Sequence, residues 1–192
     1  MLLIMKKNII TIAGKPGSGK STTAKQLAKK LGFKHFSSGD LFRRLGKERG
    51  VDVLKTNLMA ETEKEIDYLV DQKLQDLGEG ENKLVVDSRM AWHWMPYSFK
   101  VYLDLDLEIA AERIIGEMSL ERILAEHIPG DSNAYAKILK ERLDSENRRY
   151  LKLYNQNPYN LENYDLVVDT NLNNVAEVIE LIESTFTNWL TE

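Results

Sequence analysis

Apolar residues along this chain follow two rhythms, short unbroken runs and helical stripes, and their alternation predicts the architecture. KNIITIA (7–13), KLVVD (83–87), FKVYLDL (99–105) and YDLVVD (164–169) are β-branched or aliphatic runs, with a shorter segment at 34–37. Runs of this kind read as buried strands. Between them the spacing becomes helical: Ala24, Leu27, Ala28 and Leu31 recur within KSTTAKQLAKKL, which Gly32 stops. A helix opened by Ser38, Gly39 and Asp40 follows, then a long amphipathic helix over 54–77 through Leu58, Ile66, Leu69, Val70, Leu74 and Leu77. The aromatic stretch SRMAWHWMPYS reads as a loop; two helices are expected over 107–127, a long one after the break IPGDSN, and a last one over 173–190. Strands alternating with helices imply an α/β fold, a parallel sheet covered on both faces. With no repeat, low-complexity segment or linker in the sequence, one domain over 1–192 is expected.

One stripe is out of character. In YAKILKERLDSENRRYLKL (135–153), Tyr135, Ile138, Leu139, Arg142, Glu146, Arg149 and Leu153 share an arc of roughly 100°. Such an arc should face a core. Buried lone charges are costly, so Arg142, Glu146 and Arg149 either pair with one another as a salt-bridged flank or face a polar ligand.

Composition narrows the class. The 192 residues are 43% hydrophobic and 29% charged with a formal net charge of −4, which fits one globular domain with a real core. The acidic balance argues against a nucleic-acid polymer or an anionic membrane as partner, while leaving room for a small anion held by a few Arg. The absence of cysteine excludes disulfides, thiolate metal sites and a Cys nucleophile, and fits the cytosol. The longest apolar run, MLLIM, is far short of a membrane span or signal-peptide core, so a soluble, cytoplasmic protein is expected. His35, His93 and His127 lie far apart, which argues against a His-built metal site.

Residues 14–21, GKPGSGKS, satisfy G-x-x-x-x-G-K-[ST] between a predicted strand and a predicted helix. Gly14, Gly17 and Gly19 let successive backbone N–H groups turn inward, and the following helix N-terminus adds partial positive charge. The cradle Gly14, Lys15, Pro16, Gly17, Ser18, Gly19, Lys20, Ser21 and Thr22 is therefore expected to hold the phosphates of ATP. Lys20 can reach the β and γ phosphates and the Ser21 hydroxyl can ligate Mg²⁺. A Gly-rich turn that matches by chance is the bland alternative. The motif by itself leaves kinases, GTPases and ATP-driven machines open.

Further along, FSSGDLFRR supplies Ser38 and Arg43, and VVDSR puts Asp87 and Arg89 at the carboxyl end of a strand, where parallel sheets bind ligands. P-loop, S-G-D-x-F-R, acid-x-Arg after a strand, and E-R-x-x-S-E-x-x-R-Y before a strand ending D-T together resemble the nucleoside monophosphate kinases. Among these the chain is most similar to the short cytidylate kinases of the archaeal type, from about residue 8 to residue 170. The resemblance implies a three-layer P-loop sandwich whose five-stranded parallel sheet has the order 2-3-1-4-5, with an acceptor-binding helical region over about 38–80 and a lid over about 113–132. It implies transfer of the γ-phosphoryl of ATP to CMP or dCMP, with free nucleotides as partners and a monomer as the working form. Ser38, Arg43, Arg89, Arg142, Glu146 and Arg149 become acceptor-binding residues, Lys20, Arg89 and Arg113 catalytic, and Ser21 with Asp87 the magnesium site. Another small acceptor, such as a different nucleotide or shikimate, and a regulator that binds nucleotide without turnover, are the alternatives.

The chain departs from the family pattern twice. Asp87-Ser88-Arg89 stands where Glu-Gly-Arg is usual, and RIIGEMSLER offers only Arg113 and Arg122 to a lid that usually carries more Arg. Trp92, Trp94 and Tyr97 read as packing under the acceptor helices, although such rings can also stack a base. Asp104 and Asp106 either approach Mg²⁺ through water or cap the next helix, while Lys29 and Lys30 read as a solvated helix end.

Overall fold

The computed structural model describes residues 6–50, 65–118 and 128–191. Its strands β1 (Ile9–Gly14), β2 (Lys34–Ser37), β3 (Leu84–Asp87), β4 (Phe99–Asp104) and β5 (Leu166–Asp169) form one parallel sheet in the order β2-β3-β1-β4-β5. Every residue of β1 and β3 is buried, whereas Val167 in the edge strand β5 is 40% exposed. Unbroken apolar runs sit where helices cover both faces, and an edge strand has less to hide.

Helices α1 (Lys20–Leu31) and α7 (Val175–Thr191) cover one face, burying Leu27, Ile182 and Phe186 against Ile10, Ile12 and Val101. On the other, α3 (Glu65–Gly80) and the short α4 (Ala91–Trp94) pack Leu74 and Ala91 against Ile9, Leu84 and Val86. The helix α2 (Ser38–Glu48) follows β2, with Ser37 accepting from the Asp40 amide as its cap. A third cluster joins α5 (Leu107–Glu117) to α6 (Ser132–Tyr154) through Leu105, Ala110, Ala111, Ala136 and Leu139.

Three expectations need correction. The aromatic stretch is not all loop, because Ala91 and Met95 are buried against the sheet and α4 forms between them. The long helix begins earlier, at Ser132, since Asp131 accepts hydrogen bonds from the amides of Asn133 and Ala134 and caps it. Its buried line is Ala136, Leu139, Leu143 and Glu146, with Ile138 left 44% exposed, because the small Ala110 and Ala111 of α5 draw Ala136 inward and rotate the stripe. Of the helix expected over 54–77, residues 54–64, Leu58 included, lie outside the described residues, as do 119–127, the span of the second helix expected after β4 and of much of the expected lid, with Arg122 and His127.

Because the sheet is parallel, Gly14, Ser37, Asp87, Asp104 and Asp169 all end strands at the same edge. Whatever chemistry the sequence carries is delivered there.

Candidate active site

The turn from β1 into α1 is built for close approach. Gly14 has φ 146°, and a Cβ there would come within 2.2 Å of the Leu103 carbonyl oxygen; Gly17 adopts φ 73°. Gly19, the N-cap of α1, is left-handed and offers no side chain to the first helical amides, which leaves those donors for an anion. Ser18 Oγ and Lys20 Nζ both donate to the Lys15 carbonyl, at 2.8 and 2.6 Å, and Lys15 Nζ pairs with Asp104 at 2.7 Å. Asp104 is thus a partner of the loop, and Asp106 stands at the N-cap of α5 without a side-chain capping bond. Burial and then the positive charge of Arg89 lower the Lys20 ammonium to about 7. A polyanion in the cradle would reverse that penalty.

Asp87 links this loop to the neighbouring strand ends. Its Oδ2 accepts from Ser21 Oγ at 2.5 Å and from Ser37 Oγ at 3.4 Å, and Ser38 Oγ donates to its backbone carbonyl at 3.3 Å. A hydroxyl and a carboxylate in contact beside a phosphate cradle are hard oxygen donors that fit Mg²⁺. Among the described residues there is no group of three or more His, Cys, Asp or Glu that could hold a metal ion by itself.

Two residues beyond Asp87, Arg89 Nε lies 2.8 Å from Glu146 Oε2, while Arg142 Nε donates to Glu146 Oε1 at 3.1 Å and the Tyr159 hydroxyl donates to Oε2 at 2.7 Å. Burial pushes the Glu146 carboxyl up, but Arg89 and Arg142 outweigh it and hold the group at about 2. Burial likewise opposes the charge of Arg89, and Glu146 more than compensates. Within the charged trio of α6, Arg142 and Glu146 therefore pair with each other while Arg149 lies beside Asp67, and all three line a cleft. That cleft, about 700 Å³ including the space at its mouth, is lined by Ser38, Arg43, Arg89, Arg142, Glu146 and Arg149. Arg43 is half exposed and held by Asp40 at 2.5 Å. Ser88, the residue in place of the usual Gly, is buried, its amide bonded to the Ile12 carbonyl and its Oγ accepting from the Met90 amide.

Arg113 is not among the residues that line the cleft; its Nη2 donates to the Thr170 carbonyl just beyond β5, at 2.8 Å. Trp92 and Tyr164 meet edge to face, and Trp94 packs with Tyr97 against the α3 layer.

Four further residues were missed in the sequence: Asp67, Asp71, Tyr150 and Tyr159. Asp71 accepts from Trp94 Nε1 at 2.9 Å and from the Tyr154 hydroxyl, and burial, only partly offset by those bonds, pushes it up to about 6. Arg149 Nε stands 3.5 Å from Asp67 Oδ2. The signal was available, because Asp67, Asp71, Leu74 and Gly78 fall on one buried line of α3, a stripe interrupted by charge as in α6.

Residues 9–172 match the model of the Cytidylate kinase-like family. The chain belongs to that family. It is 38% identical over 165 residues to the cytidylate kinase of Natronomonas pharaonis, covering 84% of this chain and 80% of that one. To the cytidylate kinase of Methanocaldococcus jannaschii it is 32% identical over 184 residues, 94% of this chain and 98% of the other. Among solved structures it resembles a shikimate kinase from Acinetobacter baumannii in complex with shikimate, with a TM-score of 0.62, 16% identity, and coverage of 95% and 94%. A gluconokinase from Sinorhizobium meliloti also aligns with a TM-score of 0.62, at 14% identity, over 97% of this chain and 95% of its own. These establish the P-loop kinase fold and no more. Membership of the cytidylate kinase-like family makes the chain an ATP-dependent nucleoside monophosphate kinase, and implies ATP and a divalent metal. Among the described residues no helix is long and apolar enough to cross a membrane.

Proposed function

We propose that the protein transfers the γ-phosphoryl group of ATP to CMP or dCMP, giving ADP and CDP or dCDP, with Mg²⁺ as the divalent ion. The observation that carries this reading is a cleft walled by four arginines that opens beside the phosphate cradle, joined to it by the Ser21–Asp87 contact.

In this reading the amides of residues 14–22 and Lys20 hold the phosphates of ATP, and Ser21 with Asp87 holds the metal. Mg²⁺, when bound, neutralises charge on the β and γ phosphates. Arg43, Arg89, Arg142 and Arg149 bind the acceptor, and Glu146 fixes the planes of Arg89 and Arg142 so that the acceptor phosphate sits in line. The attacking oxygen belongs to an already ionised phosphate, so no strong general base is required. The new P–O bond forms as the bond to the bridging β–γ oxygen breaks, and that oxygen leaves on ADP. Lys20 and Arg89 stabilise the charge that develops, and Arg113 joins them by exchanging its bond to Thr170 for the moving phosphoryl group. Two anions repel, so closure over the cleft both holds them together and excludes water. The same reading places the enzyme in the cytoplasm as a monomer acting on free nucleotides.

A coupled ADP-release assay over CMP, dCMP, UMP, AMP and shikimate tests it. CMP- and dCMP-dependent turnover is expected. Turnover with another acceptor, or ATP binding that no acceptor stimulates into turnover, would replace this reading with one of the alternatives.

A further inference from the structure

The acceptor cleft holds more carboxylate than phosphate binding requires. Asp67 and Asp71 project from α3 into its wall, opposite α6, and a bare anion site would exclude them. They are not equivalent. Asp71 is already engaged by Trp94 and Tyr154. Glu146, the carboxylate of the α6 trio, is more fully engaged still, by Arg89, Arg142 and Tyr159. Asp67 is different: its side chain is only 9% exposed, yet Oδ2 makes no hydrogen bond. Its neighbour Arg149 is as deeply buried, at 10%, and Arg149 Nε likewise makes none, because the 3.5 Å approach of the two groups is not aligned for one. An acceptor and a donor left unsatisfied side by side in a cleft wall are costly unless a ligand completes them.

Position says which part of the ligand. Arg149 stands seven residues beyond Arg142 on α6 and has Asp67 as its neighbour, so this pair lies further along the cleft wall than the Arg142–Glu146 pair. Along α6 the rise from Arg142 to Arg149 is about 10 Å, comparable to the span from a nucleotide's phosphate to its base. A carboxylate beside a guanidinium there meets cytosine's edge correctly, since the exocyclic amine donates and ring N3 and O2 accept. Uracil presents O4 in place of the amine, and its lone pairs would face those of the carboxylate.

Resting on the proposed CMP kinase activity, we propose that Asp67 is the residue that distinguishes cytosine from uracil, accepting a hydrogen bond from the exocyclic amine while Arg149 fixes its orientation. Adenine shares an amine next to a ring acceptor, so what Asp67 rejects is the 4-oxo pyrimidine, and purines are left to the size of the cleft.

The test is a cycle of enzyme against substrate. Wild-type protein and Asp67→Asn are assayed for kcat/KM with CMP, with UMP and with the 2-pyrimidinone nucleotide that lacks only the amine. A hydrogen bond to a charged group predicts that wild type loses about 10- to 100-fold on removing the amine. The variant is expected to lose part of that factor on CMP, because its neutral amide oxygen still accepts from the amine but without the charge, and to gain on UMP, whose O4 the Asn amide can donate to, so its CMP-to-UMP ratio falls. Its KM for ATP should be unchanged, and its melting temperature reports folding independently. The wild-type arm with the amine-less nucleotide decides the matter even if the variant is unstable. Equal use of CMP and the amine-less nucleotide by wild type, or an unchanged CMP-to-UMP ratio in a folded variant, overturns the role of Asp67 and leaves the kinase reading intact. Absence of CMP turnover by wild type overturns both.

Discussion

Two titrating groups carry the residue-scale consequences. Lys20 is lowered to about 7 in the free cradle, so above pH 7 it is largely neutral and must regain a proton when phosphates bind. Calorimetry of ATP binding in buffers of different ionisation enthalpy should therefore show uptake approaching one proton at pH 8 and little at pH 6. Affinity should weaken as pH rises through 7. Glu146 is the opposite case: held at about 2 against an ordinary 4.5, it adds stability that is fully present above pH 4.5 and is lost as pH falls through 2. At 1.36 kcal/mol per pKa unit the contribution is on the order of 3 kcal/mol, and urea titrations over that range should show a loss that Glu146→Gln lacks. At neutral pH that substitution strands the buried Arg89 and should cost about 3–5 kcal/mol. It should also raise the KM for the acceptor more than that for ATP, and equal changes would contradict its place among the acceptor groups.

At the scale of elements, two helices share one device. The buried lines of both α3 and α6 are interrupted by charge, and the interruptions meet across the arginine-lined cleft. The register of α6 is set from its N-terminus by Asp131, so Asp131→Ala should destabilise the protein by about 1 kcal/mol, read from the urea midpoint. Fraying from that end should weaken the acceptor site before the P-loop, which is anchored on β1 and α1. In α6 the sequence identified the charged trio but misjudged the rotation, because 3.6-residue periodicity gives a stripe and not its centre. Small residues on α5 chose the centre. In α3 the apolar positions dominated the pattern and hid Asp67 and Asp71.

Across the whole molecule, stability should follow depth in the sheet. The central strands β1 and β3 are buried throughout, while β2 and β5 are edges, so amide exchange should be slowest at residues 9–14 and 84–87 and faster at 34–37 and 166–169. An inverted order would mean that the described core is not the cooperative unit. The same layout brings loops from distant parts of the chain to one edge, where Ser21, Ser37 and Ser38 meet Asp87 and Arg89 lines the adjoining cleft.

The sequence by itself determined the alternation of strands and helices, the glycine-rich turn between β1 and α1, and the charged trio of α6. Each of these is written in local spacing: apolar runs, glycines at fixed intervals, and Arg where a stripe should be greasy. Only the tertiary structure decided that Glu146 is spent on Arg89 and Arg142, that Arg113 faces Thr170, and that Asp67 stands unsatisfied beside Arg149. Those outcomes depend on partners more than fifty residues apart in the chain for Arg89, Arg113 and Asp67, and no local pattern records which of two available carboxylates a distant guanidinium will reach first.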